Sequence, residues 1–206
     1  MTNSTETATT LDASLLEQQL LREDALLRGH FWLSSGLHSD TYVQCARYLR
    51  RPALAAPAAA ALAAQVEAAG LKPDVVVGPA MGGVVIGYEL ARQLGVPGIF
   101  TERDADGQMT LRRGFTIEPG EKVVIAEDVV TTGKSTLEVA SLLRSMGAEV
   151  LAVASLIDRT DGKGGLNFPH FALLSVRAAT FAPENCPLCA AGLPVVKPGS
   201  RPEKAF

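Results

Sequence analysis

Apolar residues fall along this chain in two rhythms. Val75-Val76-Val77, Val123-Val124-Ile125-Ala126, Val150 to Ile157 and Phe171 to Val176 are short runs rich in β-branched residues, as in strands covered on both faces. Between them the spacing changes to three and four: Val84 to Leu94 predicts a helix, as do Val139, Leu142, Leu143 and Met146 with Gly147 placed to end it. Strands alternating with helices predict an α/β fold with a central parallel sheet flanked by helices. A further strand, Val96 to Phe100, follows Gly95. Upstream, Leu15, Leu16, Leu20, Leu26 and Leu27 among Glu, Gln and Arg predict one amphipathic helix ending near Gly29. From Gly29 to Cys45, aromatic and apolar residues alternate with polar ones, and Ser35-Gly36 predicts a turn between two short strands. Pro52 to Gly70 is almost pure Ala, Leu and Pro and reads as a helix, with Pro57 at an interruption or in its first turn. Thr101 to Phe115, charged and centred on Asp106-Gly107, predicts a long mobile hairpin. Residues 1 to about 10 are Thr- and Ser-rich and predicted disordered, and 11–206 form one domain with a C-terminal tail from about 183.

The candidate chemistry sits where the strand at 123–126 gives way to Glu127 and Asp128. Open α/β sheets bind ligands at the carboxyl ends of their strands, and paired carboxylates there accept hydrogen bonds from a polyol. Thr131, Thr132, Gly133, Lys134 and Ser135 follow at once and open a helix. Hydroxyls, a glycine free to adopt positive φ and unpaired backbone N–H groups make a cradle for a phosphate. A nucleoside-triphosphate P-loop is excluded by spacing, because that motif needs a glycine where Asp128 stands. Acids beside a phosphate cradle point to a phosphorylated sugar such as ribose 5-phosphate. A second Gly-rich loop, Gly78 to Gly83, follows the strand at 75–77, and its backbone can approach an anion closely.

Composition narrows the class. The chain has 206 residues, 47% of them hydrophobic, enough for a full core. A net charge of −3 gives no electrostatic footprint for nucleic acid. The polar N-terminus lacks a signal-peptide pattern, and no apolar run reaches the length of a membrane span, so a cytoplasmic protein with no membrane partner is expected. Three cysteines do not suggest a disulfide framework.

The run Glu127-Asp128-Val129-Val130-Thr131-Thr132-Gly133-Lys134-Ser135 resembles the phosphoribosyl-diphosphate signature of the type I phosphoribosyltransferases. Phe31, Leu33, Ser35, Gly36, Ser39 and Tyr42 resemble the N-terminal hood of the orotate-specific branch, and Arg159, just after the strand ending at Ile157 and Asp158, matches its orotate-binding arginine. The resemblance implies that fold, with the small hood at about 29–45. It implies transfer of ribose 5-phosphate from 5-phosphoribosyl 1-diphosphate to orotate in pyrimidine biosynthesis, with Mg²⁺ accompanying the diphosphate and a homodimer as the assembly. It assigns the whole run 127–135 to phosphoribosyl diphosphate, Thr131 and Arg159 to orotate, and Gly78 to Gly82 to the leaving diphosphate. Glu127 and Asp128 are its catalytic acids, and Arg103 is the cation of a flexible loop that also contacts the diphosphate.

The chain departs from the family's pattern at three places. Ser34 and Gly82 stand where many orotate enzymes carry lysines, and the hairpin holds Arg103, Arg112 and Arg113 in place of an Arg-Lys-x-x-Lys-x-His run. A purine or uracil phosphoribosyltransferase, or a non-enzymatic sensor of phosphoribosyl diphosphate, shares the signature and stays open. The tail, CPLCAAGLPVVKPGSRP, carries Cys186-x-x-Cys189 with basic Lys197 and Arg201. One such pair is half of a zinc site, for which Cys45 and His170 are the spare ligands expected from the sequence.

Overall fold

The computed structural model describes residues 11–162 and 164–198. The N-terminal ten residues, Lys163 and the tail from 199 with Arg201 lie outside them, and so does the expectation of a disordered N-terminus.

Helix α1 (Ala13–Arg22) is capped by Asp12, whose side chain accepts from the Leu15 N–H at 2.8 Å. The helix stops seven residues before Gly29. Leu26 and Leu27 belong instead to strand β1 (Leu26–Trp32), which pairs antiparallel with β2 (His38–Val43) around the predicted Ser35-Gly36 turn. The leucine spacing suits a helix, but Asp24 takes positive φ and breaks it, and Leu26 is buried from the strand. A short helix α2 (Ala46–Leu49) leads into α3 (Pro52–Ala68), where Pro52 occupies the first turn and Pro57 lies inside.

The central layer contains β3 (Val75–Pro79), β4 (Gly98–Arg103), β5 (Met109–Leu111), β6 (Lys122–Val130), β7 (Glu149–Asp158) and β8 (His170–Ser175). They form one sheet in the order β5-β4-β3-β6-β7-β8, parallel except for β5 at the edge. Helix α4 (Gly82–Leu94) connects β3 to β4, and α5 (Lys134–Ser145) connects β6 to β7. These crossovers leave the adjacent strands β3 and β6 in opposite directions. With right-handed connections the two helices must cover opposite faces and part a crevice at the strands' carboxyl ends.

Alternation along the strands supplies both cores. Val76, Val124, Ala126, Ala152 and Ala154 face α1, α3 and α4, while Val75, Val77, Val123, Ile125 and Val153 pack with Val139, Ala140 and Leu143 of α5. On the first face small residues meet small residues. Ala55, Ala58, Ala59 and Ala63 of α3 share that cluster, so the Ala-rich stretch forms a close-packed helix–sheet contact. A second, three-stranded sheet of order β1-β2-β9 is completed by β9 (Thr180–Phe181). After it come a 3₁₀ turn at Pro183–Asn185 and the short helix α6 (Pro187–Ala190).

Gly83, in the first turn of α4, shows how tightly α4 seats on the sheet. A Cβ there would stand 2.5 Å from the Ala126 carbonyl oxygen and 2.8 Å from Pro79 Cδ. Alanine improves a helix by about 1 kcal/mol over glycine on propensity alone. At Gly83 the sign reverses: Gly83→Ala lowers the urea midpoint, because backbone must move to admit the methyl group. A midpoint at or above wild type would show that α4 seats with slack.

Candidate active site

The acids are strand residues. β6 continues past them to Val130, with Val129 opposite Ile157 and Val130 opposite Asp158. The apolar run therefore does not end at Ala126, as the sequence suggests; parallel pairing to β7 carries the polar residues along. Val130 is buried, and its carbonyl accepts from the Arg159 N–H at 2.8 Å. The exposed cradle begins at Thr131.

Glu127 is 7% exposed, and burial followed by the neighbouring Asp128 charge pushes its pKa up to about 8. Burial also raises Asp128, against the pull of the Val129 N–H, which donates to Asp128 Oδ1 at 2.8 Å. Neither carboxylate has a cation within ion-pairing distance among the described residues. Two acids held out of water without a counter-charge form a site suited to hydroxyl donors or a metal ion.

Two backbone loops flank them. Thr131, Thr132 and Lys134 are exposed, and the Thr132 hydroxyl accepts from the Lys134 N–H at 3.3 Å. Gly133 caps α5 at φ +75°, and a Cβ there would lie 2.6 Å from the Gly164 carbonyl, so the turn requires glycine twice over. Across the crevice the loop after β3 is shorter than expected, because α4 begins at Gly82. A Cβ at Gly82 would overlap the Asp128 carboxylate. The backbone here approaches the acid directly.

Arg159 follows β7, half-buried, and its Nε is buried with no hydrogen-bond partner among the described residues. Burial lowers its basicity and the charge of Asp40, from β2, opposes that effect. The hood strand thus comes near the carboxyl edge of the main sheet. Asp40 itself is occupied, accepting from the Thr41 hydroxyl at 2.8 Å and the Ala179 N–H at 3.1 Å.

A model of the phosphoribosyl transferase domain matches residues 45–180. The chain belongs to this family. An orotate phosphoribosyltransferase of Carboxydothermus hydrogenoformans is 53% identical over 186 residues, covering 90% of this chain and 97% of its own. One from Heliobacterium modesticaldum is 51% identical over 178 residues, covering 86% and 93%. The solved orotate phosphoribosyltransferase of Aeropyrum pernix superposes with a TM-score of 0.67 at 29% identity, covering 78% of this chain and 93% of that one. The type I phosphoribosyltransferase fold accounts for the sheet order and for the crevice between β3 and β6.

The three hairpin cations are used differently. Arg103 donates to the Glu138 carboxylate of α5 and to the Gly107 carbonyl, each at 2.6 Å, so it lies against α5. Arg113 forks onto Glu102 at 2.8 and 2.9 Å and covers the Phe100 ring. Arg112 is exposed and makes no ion pair among the described residues. The hairpin is compact, turning at 104–108 with the Asp104 carboxylate accepting from the Asp106 and Gln108 N–H groups. Of the tail's expected ligand partners, Cys45 is buried near the Asp128 carbonyl, and His170 bonds the Ser155 hydroxyl at 2.8 Å. Neither joins Cys186 and Cys189. Sequence reading missed His30 and His38, which do: they lie in the hood strands, and no spacing along the chain ties them to the tail's CxxC.

A folded-state pKa near 8 for Glu127, against 4.5 ordinarily, means the folded chain binds the extra proton between those values. Its contribution to stability is full at low pH and is lost as pH rises toward 8. Glu127→Gln, which mimics the protonated acid, therefore melts several degrees above wild type at pH 8 and close to it at pH 5, in ligand-free differential scanning calorimetry. Equal melting points at pH 8 would place Glu127 in a solvated setting.

Proposed function

We propose that this chain is an orotate phosphoribosyltransferase, transferring ribose 5-phosphate from 5-phosphoribosyl 1-diphosphate to orotate and releasing diphosphate. The observation that carries the reading is the pairing of buried Glu127 and half-buried Asp128, without a cation partner among the described residues, with Arg159, whose buried Nε lacks a hydrogen-bond partner among them, at one sheet edge. The acids suit a ribose; the arginine suits a planar carboxylate, which it can grip with two parallel hydrogen bonds. Purine and uracil rings carry no such carboxylate, and the named relatives are orotate enzymes, which disfavours the other bases. The sensor reading lacks the basic surface that such regulators use.

Thr131 to Ser135 bind the 5-phosphate through backbone N–H groups at the start of α5 and through hydroxyls. Glu127 and Asp128 accept from the ribose hydroxyls. As the bond from C1 to the diphosphate loosens, the positive charge growing on the sugar is met by Asp128 and favours the ionised form of Glu127, which holds a proton near neutral pH in the ligand-free chain. Gly78 to Gly82 present backbone to the leaving diphosphate, and Thr131 and Arg159 orient the orotate. Bond formation from the ring nitrogen to C1 releases that nitrogen's proton, which passes to solvent or to an oxygen of the departing diphosphate, while the orotate carboxylate keeps its charge on Arg159. Arg103 reaches the diphosphate only when its pair with Glu138 opens.

The all-oxygen donor set of Glu127 and Asp128 fits Mg²⁺. Bound with the diphosphate, the ion supplies positive charge to the leaving oxygens. The functional unit is a cytoplasmic homodimer of single domains. Met81, Val85 and Tyr88 are exposed along one face of α4, next to a cavity of about 290 Å³ lined by Val84, Ile99 and Phe100 among others. Such an apolar patch suits a subunit contact.

Two tests follow. Orotate absorbance falls when 5-phosphoribosyl 1-diphosphate and Mg²⁺ are added to wild type. Asp128→Asn lowers kcat, whereas Arg159→Ala raises the orotate KM roughly 10- to 100-fold and leaves phosphoribosyl-diphosphate binding intact. Tight diphosphate binding with no orotate turnover would sink the assignment. For the assembly, Tyr88→Glu elutes as a monomer in light-scattering chromatography with wild-type circular dichroism; an unchanged dimer would move the interface off this face of α4.

A further inference from the structure

Four soft donors converge in the hood, away from the acids. His30 of β1, His38 of β2, and Cys186 and Cys189 of the tail place one ligand atom each within 4.8 Å of all the others. His30 Nε2 lies 2.8 Å from His38 Nδ1, 3.5 Å from Cys186 Sγ and 3.7 Å from Cys189 Sγ; His38 Nδ1 lies 3.3 Å from Cys189 Sγ. A tetrahedral zinc with bonds of about 2.0–2.3 Å has ligand–ligand edges of about 3.3–3.8 Å. Most of these separations fall in or near that range, and the two histidines need to part by about 0.5 Å to reach it.

The surroundings favour the ligating form. His30 Nδ1 is 2.8 Å from the Leu193 carbonyl oxygen, which can only accept, so Nδ1 carries the proton. In neutral His30 the lone pair is therefore on Nε2, the atom inside the cluster. A backbone carbonyl that sets the tautomer in this way is the usual support for a metal-bound imidazole. His30, His38 and Cys186 are buried, and a register shift in β1 between Arg28 and Phe31 accompanies the burial of the consecutive residues His30 and Phe31. A hydrogen-bonded histidine pair needs only two of these residues. The CxxC adds two thiols from a segment more than 140 positions away, which ordinary packing does not require.

We propose that this chain binds one structural zinc ion through His30 Nε2, His38 Nδ1, Cys186 Sγ and Cys189 Sγ. The site is closed, with four protein ligands and no position for substrate. Binding displaces the thiol protons of Cys186 and Cys189, so two thiolates neutralise the ion and affinity rises with pH. The ion clamps the tail to the hood, where Val196 already exchanges backbone hydrogen bonds with His30 and Trp32 at 2.8 and 2.9 Å. This inference does not depend on the identity of the transferred base.

The test uses the full chain, purified reduced and exposed to zinc alone, then dialysed against a weak chelator. Elemental analysis is expected to find about one zinc per chain, and cobalt exchange to give the visible bands and thiolate charge-transfer absorption of a tetrahedral site. Cys186→Ser and His38→Ala lose the stoichiometric metal, while Cys45→Ala keeps it. Should the variants fail to fold, wild type answers alone: titration with a mercurial releases the zinc as the thiols are capped. A folded, reduced wild type that retains no stoichiometric zinc overturns the proposal. So does a Cys186–Cys189 disulfide in freshly purified protein, or metal that survives loss of both cysteines.

Discussion

The site depends on holding two adjacent acids, Glu127 buried and Asp128 partly buried, with no cation in ion-pairing distance among the described residues. Burial at the end of β6 disfavours the charged forms of Glu127 and Asp128 and raises the pKa of both acids. Everything near them is shaped by that demand. Gly82 brings backbone close to the Asp128 carboxylate, Gly83 lets α4 seat on the Ala126 carbonyl, and β7 holds Val129 and Val130 in register beyond the acids.

The connectivity of the sheet makes that placement possible. Because α4 and α5 leave β3 and β6 toward opposite faces, the two backbone loops stand on either side of the acids and nothing covers them from the sheet itself. The hood's strand β2 brings Asp40 near Arg159. The hood is a small sheet of three strands, one of them two residues long, and it has little core of its own. Its hold on the tail through Val196 and through the histidine–cysteine cluster is therefore mechanically connected to the mouth of the site.

Much of this was legible in the chain. The β-branched runs gave the parallel strands, because strands buried on both faces need continuous apolar sequence, and the glycines after 77 and at 133 marked both loops. Errors clustered where tertiary pairing overrides local pattern. Leu26 and Leu27 continue the helical spacing of α1 yet are strand residues, since β2 offers them a ladder. Glu127 to Val130 read as a strand end and loop yet are paired, since β7 runs alongside.

By itself, then, the sequence determined the α/β class, the order of its elements and the acid-then-cradle motif, because each of these is a local pattern within one strand–loop–helix unit. The tertiary structure decided which cations are committed, tying Arg103 to Glu138 and Arg113 to Glu102 and leaving Arg159 without a partner for its Nε among the described residues. It alone brought His30 and His38 to Cys186 and Cys189. No periodicity links residues that far apart: their meeting rests on β9 pairing with β2 and on the tail returning past β1, contacts between segments that carry no mark of one another in the chain.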